Sequence, residues 1–333
     1  MNTLNFYKKL TIAAAFFSMV LFSVQPMAKN QEIDRVVSFG ASLSDTGNAF
    51  IWLSDPANQD CGVSLNVPPY DKLDDLIPDA PIPDGPYATG GHHFTNGATW
   101  LEGLARYLEL VGNSRPAFQN VGQKASNYAV GGARAVADYP CRFNLDAQVQ
   151  AYLNDFPQTS PDTLVTIEIG ANDVRDALIA ADLSIINDAL FQISLAINNL
   201  YANGARNFLI MNVPDIGKTP AVRILDILYP GTAYLADQIT QSFNIGLENL
   251  PLVMNPLPDS HVKILDVYKK FNDVVANSRY YGFVNVTDAC ITPNQPPYKC
   301  KKPDNYVFWD GIHPTKALHG IVAQQAITAI SAP

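Results

Sequence analysis

The sequence predicts an α/β fold in which a parallel sheet is covered by helices on both faces. Three observations carry this expectation. Five short apolar runs rich in β-branched residues recur along the chain. Stretches of helical periodicity lie between them, and glycine, proline or polar turn residues mark the changeovers. Strands that alternate with helices are joined by crossovers, which makes them parallel and buries both faces of the sheet.

Taken in order, the chain starts with a segment unlike the rest. Lys8 and Lys9 precede an uncharged apolar stretch, Leu10–Ala28. A positive start followed by an apolar run is the pattern of a secretory signal, with cleavage expected after Ala28. An uncleaved anchor is the alternative, because about 20 apolar residues cross a bilayer. Residues 29–333 are then expected to form one domain, secreted or periplasmic.

Ile33–Phe39 is the first expected strand. Asp55–Asn96 breaks the rhythm: its seven prolines exclude a regular helix or an inner strand. A loop of that length is expected to be an ordered cover over the rim of the sheet, anchored by Cys61. Thr99–Leu110 reads as a helix, and Ser126–Val130 and Thr163–Ile169 as strands. Ala177–Asn203 reads as one long helix, with Ile186, Leu190, Ile193, Ile197 and Leu200 at helical spacing and Gly204 as its stop. Arg206–Val213 and His261–Val267 complete the strands, and 232–250 and 314–331 the helices. Sites in such sheets lie beyond the carboxyl ends of the strands. That rule gathers Gly40–Asn48, Gly131–Arg134 and Gly170–Asp173 along one rim.

The composition bounds the function. With 47% hydrophobic and 16% charged residues, the chain of 333 residues can bury a large core, which excludes a disordered chain. Its formal charge is −9 and no basic run interrupts it, so nucleic acid is not an expected partner. Of the four cysteines, Cys61, Cys141, Cys290 and Cys300, none sits in a CxxC pair, which gives zinc or thioredoxin chemistry no support. In an oxidising compartment they suggest two disulfides, for which three pairings exist. Cys290–Cys300 is favoured because the turn-rich PNQPPY lies between them, leaving Cys61–Cys141. A bridge closing so short a loop contributes on the order of 2–3 kcal/mol.

Four blocks carry chemistry. In Phe39-Gly40-Ala41-Ser42-Leu43-Ser44-Asp45-Thr46-Gly47-Asn48, a serine follows an apolar strand directly and is held at the rim. A bare hydroxyl is a poor nucleophile and needs a base and an oxyanion site; alone, this block is equally an ordinary strand-to-helix turn. Trp309-Asp310-Gly311-Ile312-His313-Pro314 supplies the base, since a turn at that spacing aims Asp310 at one imidazole nitrogen and leaves the other free for a proton. Among the five histidines, His92, His93, His261, His313 and His319, His313 alone has such an acid beside it in a turn. The glycines of Asn127–Ala133 and the carboxamide of Asn172 in Gly170–Asp173 offer N–H donors at two further strand ends, as an oxyanion hole requires.

The blocks GASLSDTGN, NYAVGGA, GAND and DGIHP, in this order, resemble the GDSL, or SGNH, family of serine esterases and lipases. Phe94–Glu102 and Asn212–Asp215 are similar to the family's bacterial and plant lipase-like branch, so the likeness runs from about Ile33 to the C-terminus. The resemblance implies a flavodoxin-like three-layer α/β/α sandwich with a five-stranded parallel sheet. It implies Ser42 as nucleophile, His313 as base and Asp310 as its orienting partner. The backbone N–H groups of Ser42 and Gly132 and the side chain of Asn172 would be the oxyanion donors, with Gly131 the less favoured glycine. No metal or cofactor is implied. Two positions depart from the family's pattern: Ala41 stands where an acid usually precedes Leu43 by two residues, and His93 stands where an arginine often precedes the Phe94 block.

The expected activity is hydrolysis of lipid-like or short-acyl carboxylic esters through an acyl-enzyme, with transient contact at a lipid surface. The alternatives are a phospholipase or acyltransferase that moves the acyl group to an alcohol, a carbohydrate acetylesterase, and a non-catalytic module of the same fold.

Overall fold

The computed structural model describes residues 33–55, 91–119, 124–137, 142–253, 257–292 and 298–332. The expected signal segment, most of the proline-rich insertion, Cys61 and Cys141 lie outside the described residues.

Four strands, β1 (Arg35–Gly40), β2 (Thr163–Glu168), β3 (Asn207–Met211) and β4 (His261–Leu265), form a sheet in the order β1-β2-β3-β4. Every pairing is parallel, with Gly40 opposite Glu168 and Glu168 opposite Met211 at the carboxyl ends. Alternation along the strands divides the core. Val37, Phe39, Val165, Ile167, Phe208 and Ile210 face one apolar layer; Val36, Leu164, Leu209, Met211 and Leu265 face the other. The first layer is closed by α3 (Leu145–Asp155), α4 (Ala171–Ala180), α5 (Ser184–Ala202) and α7 (Thr232–Val253). The second is closed by α2 (Trp100–Tyr107) and α9 (Lys316–Ser331). Helix α1 (Asn48–Ser54) follows the turn after β1, α6 (Pro220–Leu228) precedes α7, and α8 (Val267–Ala276) follows β4. A second, two-stranded parallel sheet pairs β5 (Asn285–Ala289) with β6 (Tyr306–Phe308).

Two expectations need correction. The main sheet has four strands, not five. Residues 126–130 run beside β1, through Ser38 N–H to Ser126 O (3.1 Å), Tyr128 N–H to Ser38 O (2.8 Å) and Val130 N–H to Gly40 O (3.0 Å). They do not form a regular strand because Asn127 is shared: its backbone also bridges Pro116, and its side-chain oxygen takes the Ala129 N–H at 3.1 Å. The long helix over 177–203 is also two helices. Ala181 adopts φ 53° as the C-cap of α4, and the Asp182 carboxylate accepts the Ser184 N–H at 2.9 Å where α5 starts. An aspartate turn of this kind competes with helix continuation.

The start of α2 follows its sequence signal. The Thr99 side chain accepts the Glu102 N–H, and the Glu102 carboxylate accepts the Thr99 N–H at 2.7 Å, a reciprocal capping box. Cys290 and Cys300 form a disulfide with Cα atoms 5.5 Å apart.

Candidate active site

The candidate residues follow the carboxyl ends of adjacent elements. Ser42 lies two residues past β1, half-buried at the rim. Its turn is organised by Asp45, whose buried carboxylate accepts four backbone N–H groups: those of Gly47 and Asn48 (each 2.7 Å), Ala49 (3.0 Å) and Gly131 (2.7 Å). Burial pushes the Asp45 pKa up, against these hydrogen bonds, which pull it down. Beneath the turn, Glu168 at the end of β2 places Oε2 3.3 Å from the Ala41 N–H and also bonds Ser44. Burial pushes its pKa up to about 8, so it is largely protonated at neutral pH. The position where the family's acid would stand, Ala41, is therefore packed directly over a buried carboxyl group.

Gly131 and Gly132 are distinguished by their bonding. The Gly131 N–H is committed to Asp45, and a Cβ there would lie 2.1 Å from the Phe94 ring. Gly132 has φ 79°, a left-handed conformation suited to glycine. Among the described residues, the N–H groups of Ser42 and Gly132 donate to no partner. Asn172 stands in the first turn of α4 and donates one side-chain N–H to Ala133 O at 2.8 Å.

His313 and Asp310 occupy the loop between β6 and α9. Asp310 Oδ2 lies 2.7 Å from His313 Nδ1, while Oδ1 accepts the backbone N–H groups of Ile312 (2.9 Å) and His313 (2.7 Å). The acid is thus fixed by the backbone of the histidine it contacts. The loop is held at both ends: Trp309 N–H donates to His313 O (2.8 Å), and Ala221 N–H, at the start of α6, donates to Gly311 O (2.9 Å). Phe94 joins the two halves of the site, packing on Gly131 with its ring centroid 5.1 Å from that of His313. His93, at the second departure from the family's pattern, is buried with Nε2 3.0 Å from a Glu102 oxygen. Next to the Asp310–His313 loop lies an apolar pocket of about 50 Å³, walled by Leu43, Pro214, Met211, Phe271, Ile312 and Val322 among others.

The sequence reading missed the residues behind the oxyanion candidates. Arg134 donates to Gly132 O (2.6 Å) and grips Asp176 through Nε (2.9 Å) and Nη2 (3.0 Å). Arg175 donates to Asn172 Oδ1 (3.2 Å) and to Asp176 Oδ1 (3.3 Å). The position of Arg134 directly after the GGA block was the one local signal available.

Residues 36–326 match the family described as GDSL-like Lipase/Acylhydrolase. The chain belongs to that family. It is accordingly an ester-hydrolysing enzyme with the α/β architecture described above. It is similar to a phosphatidylcholine-sterol acyltransferase of Aeromonas hydrophila, with 26% identity covering 94% of each chain. A GDSL esterase/lipase of Arabidopsis thaliana is 27% identical over 95% of this chain and 90% of that one. Among solved structures, a GDSL-like lipase from Parabacteroides merdae aligns over 90% of this chain and 97% of that one, with a TM-score of 0.43 and 14% identity.

Proposed function

We propose that the chain hydrolyses carboxylic esters through an acyl-enzyme on Ser42, with His313 as general base and acid and Asp310 as its orienting carboxylate. The observation that carries this reading is the 2.7 Å contact between His313 Nδ1 and Asp310 Oδ2. With Nδ1 engaged, Nε2 is the nitrogen available to take a proton. Ser42 Oγ attacks the carbonyl carbon, and its proton passes to His313. The oxyanion is stabilised by the N–H groups of Ser42 and Gly132 and by the second side-chain N–H of Asn172. Collapse breaks the ester C–O bond, and His313 protonates the departing alcohol. Water then attacks the acyl-enzyme with His313 again as base, releasing the acid and restoring Ser42. The pocket beside Leu43 and Ile312 suits an uncharged alkyl part of the substrate, because its wall is mostly apolar.

The test is hydrolysis of p-nitrophenyl esters from C2 to C16 by the protein and by Ser42→Ala. Turnover abolished in the variant is the expected result; turnover retained there would overturn the assignment.

A second reading is favoured by the likeness to the sterol acyltransferase, which covers nearly all of both chains. The same acyl-enzyme can be taken by an alcohol in place of water. Adding a sterol or a simple alcohol to the assay and measuring new ester separates the two; an unchanged yield of free acid would count against transfer.

A further inference from the structure

The oxyanion candidates are not held by their own loops alone. Asn172, Arg175 and Asp176 occupy positions i, i+3 and i+4 of α4 and so share one face of the helix. That face meets the loop carrying Gly132 and Ala133. Asp176 receives two N–H groups from Arg134 and one from Arg175. Each arginine also reaches a candidate donor residue: Arg134 Nη1 donates to Gly132 O at 2.6 Å, and Arg175 Nη1 to Asn172 Oδ1 at 3.2 Å. The Asn172–Ala133 hydrogen bond closes the circuit. Both guanidinium groups are buried, and the Asp176 side chain is 14% exposed, so this is not a solvated surface pair.

The geometry leads us to infer that Asp176 is the positioning residue of the oxyanion hole, acting through Arg134 on the Gly132 carbonyl, which constrains the backbone torsions next to the Gly132 N–H, and through Arg175 on the Asn172 carboxamide. The inference rests on the serine-hydrolase reading above. The network supplies preorganisation. A donor stabilises a developing oxyanion only if it is already aimed at it, and both Gly132 and Asn172 have rotational freedom that these contacts remove. The rigid fork of Arg134 meets Asp176 on two bonds and Gly132 on a third, which a lysine could not reproduce.

The experiment measures kcat per titrated active site, using a fluorophosphonate probe to count competent Ser42, in Asp176→Asn, Asp176→Glu and Arg175→Met. Asp176→Asn should lower kcat per site about 10- to 100-fold with KM nearly unchanged, less than outright loss of a donor costs. Arg175→Met removes the bonds to Asn172 and to Asp176 but leaves Arg134 on Asp176 and Gly132; it should give a smaller loss, which keeps the proposal testable should Asp176→Asn fail to fold. Asp176→Glu should recover part of the loss. Binding of a boronic acid that mimics the tetrahedral state should weaken in parallel with kcat/KM. A purely structural role would instead reduce the number of titratable sites and the melting temperature while leaving kcat per site unchanged, and that result would overturn the proposal. Wild-type protein that neither titrates nor turns over any ester would instead sink the serine-hydrolase reading on which it stands.

Discussion

The Asp45 carboxylate accepts the Gly131 N–H at 2.7 Å, tying the turn that carries Ser42 to the loop that carries Gly132. One side chain thereby ties the turn of the proposed nucleophile, Ser42, to the loop of the proposed oxyanion glycine, Gly132. It also decides which of the two adjacent glycines keeps a free N–H.

Asp45→Asn tests that tie. An amide presents N–H₂ where Oδ2 now accepts from Ala49 and Gly131, leaving two buried donors without an acceptor. Each unsatisfied donor costs about 1–3 kcal/mol. Chemical denaturation should show a loss of several kcal/mol, with kcat per titrated site reduced as the two loops uncouple. A stability equal to wild type would show that the N–H groups find other partners.

Glu168 gives a pH dependence of stability. Burial raises its folded pKa from 4.5 to about 8, so folding favours the protonated form. Its contribution is complete below about pH 4.5 and is lost as pH rises through about 8, where the folded protein must hold a buried carboxylate. Glu168→Gln removes the titration. The variant should gain melting temperature relative to wild type as pH is raised from 5 to 9. Parallel curves for the two proteins would refute the assignment.

Asp310→Asn keeps the shape of the 309–314 loop but, in the proposed mechanism, cannot stabilise the imidazolium that forms when His313 takes the Ser42 proton. The backbone bonds to Ile312 and His313 reach Oδ1 and can survive the change. The structure should therefore remain folded while kcat falls on the order of 10³–10⁴-fold, as loss of an orienting carboxylate does in serine hydrolases. Steady-state kinetics with a melting curve on the same sample decides this; an intact kcat would remove Asp310 from the mechanism.

The sequence was informative where chemistry is contiguous. Gly40–Asn48, Gly131–Arg134 and Gly170–Asp173 each follow an apolar run, so period and turn residues alone place them beyond strand ends, while the roles of Ser42, Gly132, Asn172, Asp310 and His313 are what the family resemblance implies. What escaped is non-local. Arg134 and Asp176 are 42 residues apart, and nothing in either neighbourhood announces the pair. The irregular edge at 126–130 has the apolar pattern of a strand; its pairing is broken by the polar commitments of Asn127, which depend on the tertiary position of Pro116. Helix α8 begins two residues after β4, so the apolar run through Val267 reads as a longer strand. The break between α4 and α5 turns on a single side chain, Asp182, inside an otherwise continuous helical pattern.

The Cys290–Cys300 bridge acts on the loop carrying Asp310 and His313 through its neighbours. Cys290 N–H donates to Phe308 O (3.1 Å) and Ile291 N–H to Trp309 O (2.9 Å), and Ile291 packs with Trp309 directly before Asp310. The bridge joins residues 10 apart in sequence, which makes its stabilisation about 2–3 kcal/mol. The double variant Cys290→Ala/Cys300→Ala should therefore melt lower by several degrees. Well below that temperature, kcat per titrated site should stay close to wild type, because Asp310 is held by the backbone of its own turn. Loss of kcat per site with an unchanged melting temperature would reverse this order, making the disulfide a determinant of loop geometry and not of stability.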